Sequence, residues 1–210
     1  MFKKLPLGLL LISPFSVLAH PHAFIDMQTN PLVKDNQLIG FSTQWLLDEA
    51  SSSAVLYDVK QAKGDKAAQQ KLVDEVIANV VNEHYFSYVF DKENHKIKYT
   101  KHPENYGMRV KGNEVEYYFD FLLAQPQALQ NNEFTLMTYD RTYYVAMRYA
   151  ETGKRAVDFS SLPANCKGEV LEPNVDEKIQ SYASSLDKSQ KNEDDSLGAL
   201  FAQKVKIKCE

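Results

Sequence analysis

The chain has 210 residues, of which 44% are hydrophobic and 25% are charged, and its formal net charge at neutral pH is −4. This length predicts one ordinary domain, and the composition is typical of a globular chain rather than a disordered or fibrous one. The mildly acidic balance argues against nucleic-acid binding, because neutralising phosphates requires a concentrated surface of Lys and Arg.

The first nineteen residues predict a secretory signal peptide. Two lysines precede an apolar run, Leu5–Phe15, which is too short to cross a bilayer core of about 30 Å. Val17 and Ala19 supply the small residues expected before a cleavage site. An N-terminal membrane anchor is the alternative. Cleavage would leave residues 20–210, and losing the two lysines would change the formal charge from −4 to −6. We expect this mature chain in the periplasm, without a membrane span.

Cys166 and Cys209 are the two cysteines of the chain. An even number of cysteines in an exported protein predicts a disulfide, because the compartment is oxidising. A pair of metal thiolates is the alternative, but no C-x-x-C spacing would preorganise it.

Apolar and polar residues alternate with a period of two in several stretches, which predicts β-strands. The strand-like runs are Ile39–Leu47, Val115–Phe121, Thr142–Tyr149 and Lys204–Cys209. Turn-forming residues separate them at Asn30-Pro31, Asp35-Asn36, Lys111-Gly112-Asn113, Gln125-Pro126 and Thr152-Gly153. Short strands with close turns predict an α+β fold that is mainly antiparallel β, with a sandwich-like sheet.

One long amphipathic helix and one shorter helix are predicted beside the strands. The long helix begins at Asp65 as N-cap, and its apolar stripe is Ala68, Leu72, Val73, Val76, Ile77, Val80 and Val81. The shorter helix carries Ile179, Tyr182, Ala183 and Leu186. Residues 187–196 are polar and predict a mobile surface loop. Without a repeat or a clear linker, residues 20–210 are expected to form a single, mainly β domain.

The start of the expected mature chain, His20-Pro21-His22-Ala23-Phe24-Ile25-Asp26, concentrates metal-ligand chemistry. In an extended segment, the side chains of His20, His22 and Asp26 share a face. Imidazoles and carboxylates are ligands for first-row divalent metals. Cleavage would add the α-amine of His20, whose reference pKa near 8 allows coordination near neutral pH.

Pro21 limits the geometry of such a site. A square-planar N-terminal motif needs a deprotonated backbone amide at this position, and proline has no N–H. A histidine brace at His20, or a site built from the side chains of His20 and His22, remains compatible. The alternative is a frayed terminus that binds nothing.

Two further acidic positions are candidate ligands, Asp48-Glu49 at the end of the Trp45 strand and Asp140 in Tyr139-Asp140-Arg141-Thr142-Tyr143-Tyr144. Carboxylates at strand ends also cap turns or pair with Arg, which is the alternative here. The remaining histidines are weaker candidates: His84 is expected at the end of the long helix, and His95 and His102 in a solvated, Lys-rich hairpin.

Four stretches together resemble the ZevA-like family of exported bacterial proteins. They are Ala19-His20-Pro21-His22 through Ile25-Asp26, Trp45-Leu46-Leu47-Asp48-Glu49, residues 139–144, and Phe201-Ala202 through Val205, Ile207 and Cys209. The family is typically encoded beside inner-membrane permeases of the nickel/cobalt type and is linked to zinc utilisation.

The resemblance implies a periplasmic metal-binding accessory protein that supports uptake by such a permease. The implied metal ligands are His20, His22, Asp26, Asp48 and Asp140. Zinc is the expected metal, with copper and nickel as alternatives. We expect no enzyme, because no G-x-S-x-G, H-E-x-x-H or P-loop motif is present. The alternative functions are a solute-binding component of an ATP-driven importer and a copper-binding histidine-brace protein.

Overall fold

The computed structural model describes residues 21–149, 156–186 and 196–210. The predicted signal peptide, His20, the Thr152-Gly153 turn and most of the predicted loop at 187–196 lie outside these residues. The strands are β1 (Ala23–Lys34), β2 (Gln37–Leu47), β3 (Ser87–Phe90), β4 (Lys96–Ile97), β5 (Glu104–Lys111), β6 (Glu114–Ala128), β7 (Glu133–Thr138), β8 (Val145–Tyr149), β9 (Cys166–Leu171) and β10 (Lys204–Cys209). The helices are α1 (Glu49–Gln61), α2 (Lys66–Asn82), α3 (Glu177–Ser185) and α4 (Leu197–Phe201).

The strands form two five-stranded sheets. The first sheet has the order β5-β6-β2-β1-β8, and the second has the order β4-β3-β7-β10-β9. Neighbouring strands are antiparallel except β1 and β8, which pair in parallel. The predicted α+β fold with mainly antiparallel strands is therefore confirmed. Among the described residues, no helix has both the length and the apolar character needed to cross a membrane.

The hydrophobic core lies between the two sheets and is completed by α2. Alternate residues of β2 and β6 point inward, so that Phe41 and Phe119 are almost fully buried. They join one cluster that includes Leu136 and Ile207 from the second sheet. The period-two patterns thus predicted the inward faces, because successive side chains of a strand point to opposite sides.

The two predicted helices are confirmed. Asp65 caps α2 by accepting hydrogen bonds from the backbone N–H groups of Ala67 and Ala68, at 2.8 and 3.2 Å. The apolar stripe of α2 contributes buried Val73, Ile77 and Val80 to the core. The shorter helix, α3, lies in a small second cluster formed by Ala183, Leu186 and Leu197.

Helix α1 was not predicted, because its sequence lacks an apolar stripe. Of the residues of α1, Ser52 alone is buried. The Ser52 hydroxyl accepts a hydrogen bond from Val115 N at 2.9 Å and donates one to the Leu47 carbonyl at 3.2 Å. This helix is therefore held against the first sheet partly by polar contacts, which hydrophobic periodicity does not reveal.

The turns predicted at Asn30-Pro31 and Gln125-Pro126 are wrong, because β1 and β6 continue through them. β8 pairs only with residues 23–27 of β1, so Pro31 lies beyond it and its missing N–H costs no bond to β8. Pro126 lies where the register between β2 and β6 shifts, between Leu38 and Gly40. Irregular and edge positions of this kind tolerate proline.

The predicted disulfide is confirmed. Cys166 and Cys209 are cross-strand partners on β9 and β10 and are joined through their sulfurs. The bond lies at an edge of the second sheet and attaches the C-terminal strand to β9.

Candidate functional site

The segment that enters β1 is held by three hydrogen bonds involving its backbone. His22 N donates to the Tyr144 carbonyl at 2.9 Å. Phe24 N donates to Asp48 Oδ2 at 2.6 Å, and Asp48 N donates to the Phe24 carbonyl at 3.0 Å. His22 therefore occupies a defined position beside the loop before β8, rather than a frayed terminus.

The ring of His22 packs against an aromatic neighbour. Its centroid lies 5.0 Å from that of the Tyr144 ring, with the two planes tilted by 50°. Nε2 of His22 is buried in this arrangement. Coordination of a metal ion through Nε2 therefore requires the ring to rotate about its side-chain bonds.

Beside this segment lies an open cleft of about 400 Å³ that is rich in carboxylates. Asp26, Asp48, Glu49 and Glu114 line it, together with the guanidinium of Arg148. Phe24 and Leu46 supply its apolar wall. Carboxylate oxygens are common ligands of divalent cations, so the cleft is chemically suited to attract such an ion.

Asp26 and Arg148 are opposite one another on the parallel strands β1 and β8. Arg148 Nε donates to Asp26 Oδ1 at 2.8 Å. Both side chains are substantially exposed, so this ion pair is worth at most about 1 kcal/mol. A divalent cation can compete with an ion pair of this strength for the carboxylate of Asp26.

Asp48 is the N-cap of α1 and also a partner of β1. Its Oδ1 accepts a hydrogen bond from Ser51 N at 2.7 Å, while its Oδ2 accepts the one from Phe24 N. Burial by itself would raise the pKa of this carboxyl, but the hydrogen bonds from Ser51 and Phe24 together lower the pKa below its usual value. Asp48 is therefore held as an anion. A carboxylate has about four lone-pair positions, so these bonds leave it capacity for a further ligand.

Asp140 organises the loop that contacts His22. Its Oδ1 accepts from Thr142 N at 3.1 Å, its Oδ2 accepts from Val145 N at 3.0 Å, and the Thr142 hydroxyl donates to the same carboxylate at 3.1 Å. Asp140 is not among the described residues that line the cleft. It acts on the His22 segment through this loop, because the Tyr144 carbonyl accepts the hydrogen bond from His22.

The structure thus brings two of the predicted residues, Asp26 and Asp48, to one cleft and connects His22 and Asp140 through residues 140–145. Sequence reasoning did not select Glu114 or Arg148. Glu114 begins β6 and Arg148 lies within β8, two strands that are distant along the chain from β1, so only the tertiary fold brings them together. Glu49 was noted beside Asp48 at the acidic end of the Trp45 strand, and it lines the same cleft.

The other histidines lie on different parts of the described structure. His95 is exposed, and its Nδ1 lies 3.3 Å from Asp91 Oδ2. Potential ligand atoms of Asp91, Glu93 and His95 lie within 4.8 Å of one another. Exposed groups of this type are common at protein surfaces without a bound ion. His84 lies on a different cavity, which is described below.

Comparison with known proteins gives two matches. The family described as "Protein of unknown function (DUF1007)" matches residues 5–209. A protein of Haemophilus influenzae, described as uncharacterized, is 65% identical over 196 residues, which cover 93% of this chain and 94% of that protein. No solved structure matches the chain.

Proposed function

We propose that this chain, which belongs to the DUF1007 family, is a periplasmic protein that binds a divalent metal and supports its uptake by an inner-membrane permease. Zinc is the proposed metal. Within this proposal the chain is a ZevA-like protein, a finer assignment that is supported by the resemblance of the His-Pro-His start and the three other stretches. The protein would act as a carrier of the ion and not as an enzyme.

The observation that carries the proposal is the position of the His22–Asp26 segment. Hydrogen bonds to Tyr144 and Asp48 hold this segment beside a cleft with four carboxylates. A preorganised segment loses less conformational entropy when a metal binds than a frayed terminus would. The arrangement therefore favours metal binding over a terminus of no consequence.

The proposed ligands are His20, His22, Asp26, Asp48 and Asp140. His22, just before β1, and Asp26, which lines the cleft, would be the first to contact the ion. Asp48 and Asp140 would hold these ligands through hydrogen bonds and contribute oxygen where their remaining lone pairs allow. Groups that orient metal ligands in this way change metal affinity by about 10- to 100-fold when they are removed.

Copper and nickel are the competing metals for such a site. Ligands of nitrogen and carboxylate oxygen bind Cu²⁺ more tightly than Zn²⁺ or Ni²⁺ in the general order of stability. Zinc would therefore be selected by coordination geometry and by supply in the periplasm. A solute-binding protein with two lobes is less favoured, because the main buried cluster of the described residues continues across both sheets.

Calorimetric titration of the chain beginning at His20 tests the proposal. We expect Zn²⁺ to bind more tightly than micromolar, and His22→Ala or Asp26→Ala to weaken it by at least about tenfold. His95→Ala is the matched control, since it removes an exposed imidazole of the separate Asp91, Glu93 and His95 group. A chain with one Met placed before His20 reports whether the free amine coordinates.

Absence of binding tighter than micromolar for zinc, copper and nickel would refute the proposal. Equal losses in His22→Ala and His95→Ala would place the ion elsewhere. For the transport role, zinc-limited growth of cells that carry the Asp26→Ala chain in place of the natural one should fall, while growth in zinc-rich medium should not.

A further inference from the structure

A second cavity, of about 710 Å³, lies at the β4 edge of the second sheet. Its walls are the end of α2, the extended segment 96–101, and the side chains of His84, Tyr85, Ser87 and Tyr88. Its volume is within the range of small-molecule sites in proteins, about 300 to 1,000 Å³. The cavity shares no lining residue with the carboxylate cleft, so it is a different feature of the molecule.

The segment 96–101 forms a fixed wall because it is bonded to both sheets. β4 pairs with β3 in the second sheet. Farther along, Ala124 N donates to the Lys98 carbonyl at 2.7 Å, and Thr100 N donates to the Leu122 carbonyl at 2.9 Å. Leu122 and Ala124 belong to β6 of the first sheet. The cavity is therefore bounded by backbone that spans the two sheets.

Buried aromatic rings support the apolar part of this cavity, which Val81 and Ile97 also line. Tyr85 is 2% exposed, and its ring centroid lies 5.9 Å from that of Tyr99. The Tyr99 hydroxyl donates to the Ser87 carbonyl at 2.7 Å and accepts from Val89 N at 2.8 Å. Burial raises the pKa of Tyr85 to about 12, so its hydroxyl is neutral at physiological pH. The rings are thus locked and uncharged.

The charge around the cavity is opposite in sign to that of the whole chain. Lys96, Lys98 and Lys101 line it, whereas no Asp or Glu is among its described lining residues. Lys96 Nζ lies 4.5 Å from the centroid of the Tyr88 ring. Within the described ranges, Lys98 and Lys101 form no ion pair. A chain with a formal charge of −4 therefore presents a local cluster of cations at an apolar cavity.

The turn below the cavity is strained. His84, Tyr85 and Phe86 have φ values of 52°, 56° and 48°, which lie in the left-handed region. A residue other than glycine is disfavoured in this region, because its Cβ comes too close to the following carbonyl oxygen. Tyr139 N donates to the Phe86 carbonyl at 2.8 Å and helps to hold the turn. Strain of this kind is concentrated at functional sites, where it fixes a side chain in a required position.

We propose that this cavity binds an amphipathic organic anion, with an apolar body and a single carboxylate. The apolar body lies against the apolar lining of the cavity, which includes Val81, Ile97 and Tyr99, and the carboxylate pairs with Lys98 and Lys101. This binding site is additional to the metal-carrying function proposed above, and it uses none of the same residues.

Binding of decanoate and of 1-decanol to the full mature chain, measured by displacement of a fluorescent anilinonaphthalene sulfonate, tests this proposal. The two probes have the same chain length and differ in charge. We expect decanoate to bind more tightly than decanol. The substitutions Lys98→Gln and Lys101→Gln should each weaken the binding of decanoate by about fivefold, because an exposed ion pair contributes about 1 kcal/mol at most. The affinity for decanol should not change.

Two matched controls accompany these variants. Lys167→Gln and Lys208→Gln remove two exposed lysines from β9 and β10, at the opposite edge of the same sheet, and should change neither affinity. Asn82 is exposed and lines the cavity, so Asn82→Trp should fill part of the cavity and weaken the binding of both probes.

Three results would overturn the assignment. They are equal affinities for decanoate and decanol, equal losses in the cavity and control lysine variants, and binding of both probes weaker than about 1 mM.

Discussion

The carboxylates near the first strand differ in what they contact, and this difference decides their roles. Asp26 is partly exposed, and in the described part of the chain it forms an ion pair with Arg148. Asp48 accepts backbone N–H groups from two different elements, α1 and β1. Asp140 accepts hydrogen bonds within its own loop. Asp26 is therefore available to a metal ion, whereas Asp48 and Asp140 also stabilise the local backbone.

Replacing Asp48 by Asn tests the double role of this carboxylate. Asn caps helices well, but it has one acceptor oxygen where Asp48 uses two, so its amide group would face a second N–H donor. We expect the free energy of unfolding at pH 7 to fall by about 1 to 2 kcal/mol. Urea denaturation of the wild type and the variant measures this change in the free energy of unfolding. Asp176→Asn is the control, because Asp176 caps α3 through one hydrogen bond, from Ile179 N, and should be nearly neutral.

The effect of Asp48→Asn should depend on pH. The folded state lowers the pKa of Asp48, so the charged group stabilises the protein fully above the unfolded pKa of about 3.9. This contribution is lost as the pH falls through the lower, folded pKa. The difference between wild type and variant should therefore narrow under acidic conditions. A difference that is the same at pH 7 and in acid would contradict this interpretation.

At the scale of elements, the short helix α4 packs directly against the loop that contacts His22. Gly198 N donates to the Arg141 carbonyl at 3.1 Å. A Cβ at Gly198 would overlap the backbone carbonyl of Asp140. Ring stacking of Tyr143 on Phe201, with centroids 4.0 Å apart, joins the same two elements. The helix thus contacts the same loop whose Tyr144 carbonyl accepts the hydrogen bond from His22.

Gly198→Ala should displace α4 or the loop, because backbone atoms cannot yield as a flexible side chain can. We expect a loss of stability of about 1 to 3 kcal/mol and a weaker affinity for Zn²⁺, measured by urea denaturation and calorimetry. Ala199→Gly is the matched control. It lowers the helix propensity of α4 by about 1 kcal/mol without adding an atom, and it should leave zinc affinity unchanged. Equal zinc affinities in wild type and Gly198→Ala would separate this loop from the metal site.

At the scale of the whole molecule, two sheets and α2 share one buried cluster, and the disulfide closes the C-terminal edge. Cys166 and Cys209 are 43 residues apart in the chain. Between them lie α3 and α4, which contribute the smaller second cluster. The disulfide therefore closes a long segment of the chain, which includes these two helices.

Reduction of this disulfide should lower the free energy of unfolding by about 4 kcal/mol on the loop-entropy account. The physical reason is that the reduced, unfolded chain gains conformational freedom over the closed segment. Urea denaturation with and without dithiothreitol measures the change. The double variant Cys166→Ala and Cys209→Ala is the control, and its transition should not respond to dithiothreitol. An unchanged wild-type transition after verified reduction would contradict the prediction.

Local patterns were sufficient for several parts of this molecule. Alternation of apolar residues predicted β2, the inward face of β6 and the strand that ends in Cys209. Helical spacing and the capping carboxylate of Asp65 predicted α2. These features depend on neighbours within a few residues, so the sequence carries them directly. The cysteine count likewise predicted the disulfide, which the pairing of β9 with β10 confirms.

Only the tertiary structure decided how the candidate site is assembled. The sequence alone indicated the chemistry of His22, Asp26, Asp48 and Asp140 and a shared face for His22 and Asp26, but it did not indicate how Asp48 and Asp140 lie relative to them. The parallel pairing of β1 with β8 brings Arg148 to Asp26. Glu114, the first residue of β6, lines the same cleft. Such contacts join residues far apart in the chain. They depend on strand order and register, which a periodicity of two or 3.6 residues does not specify.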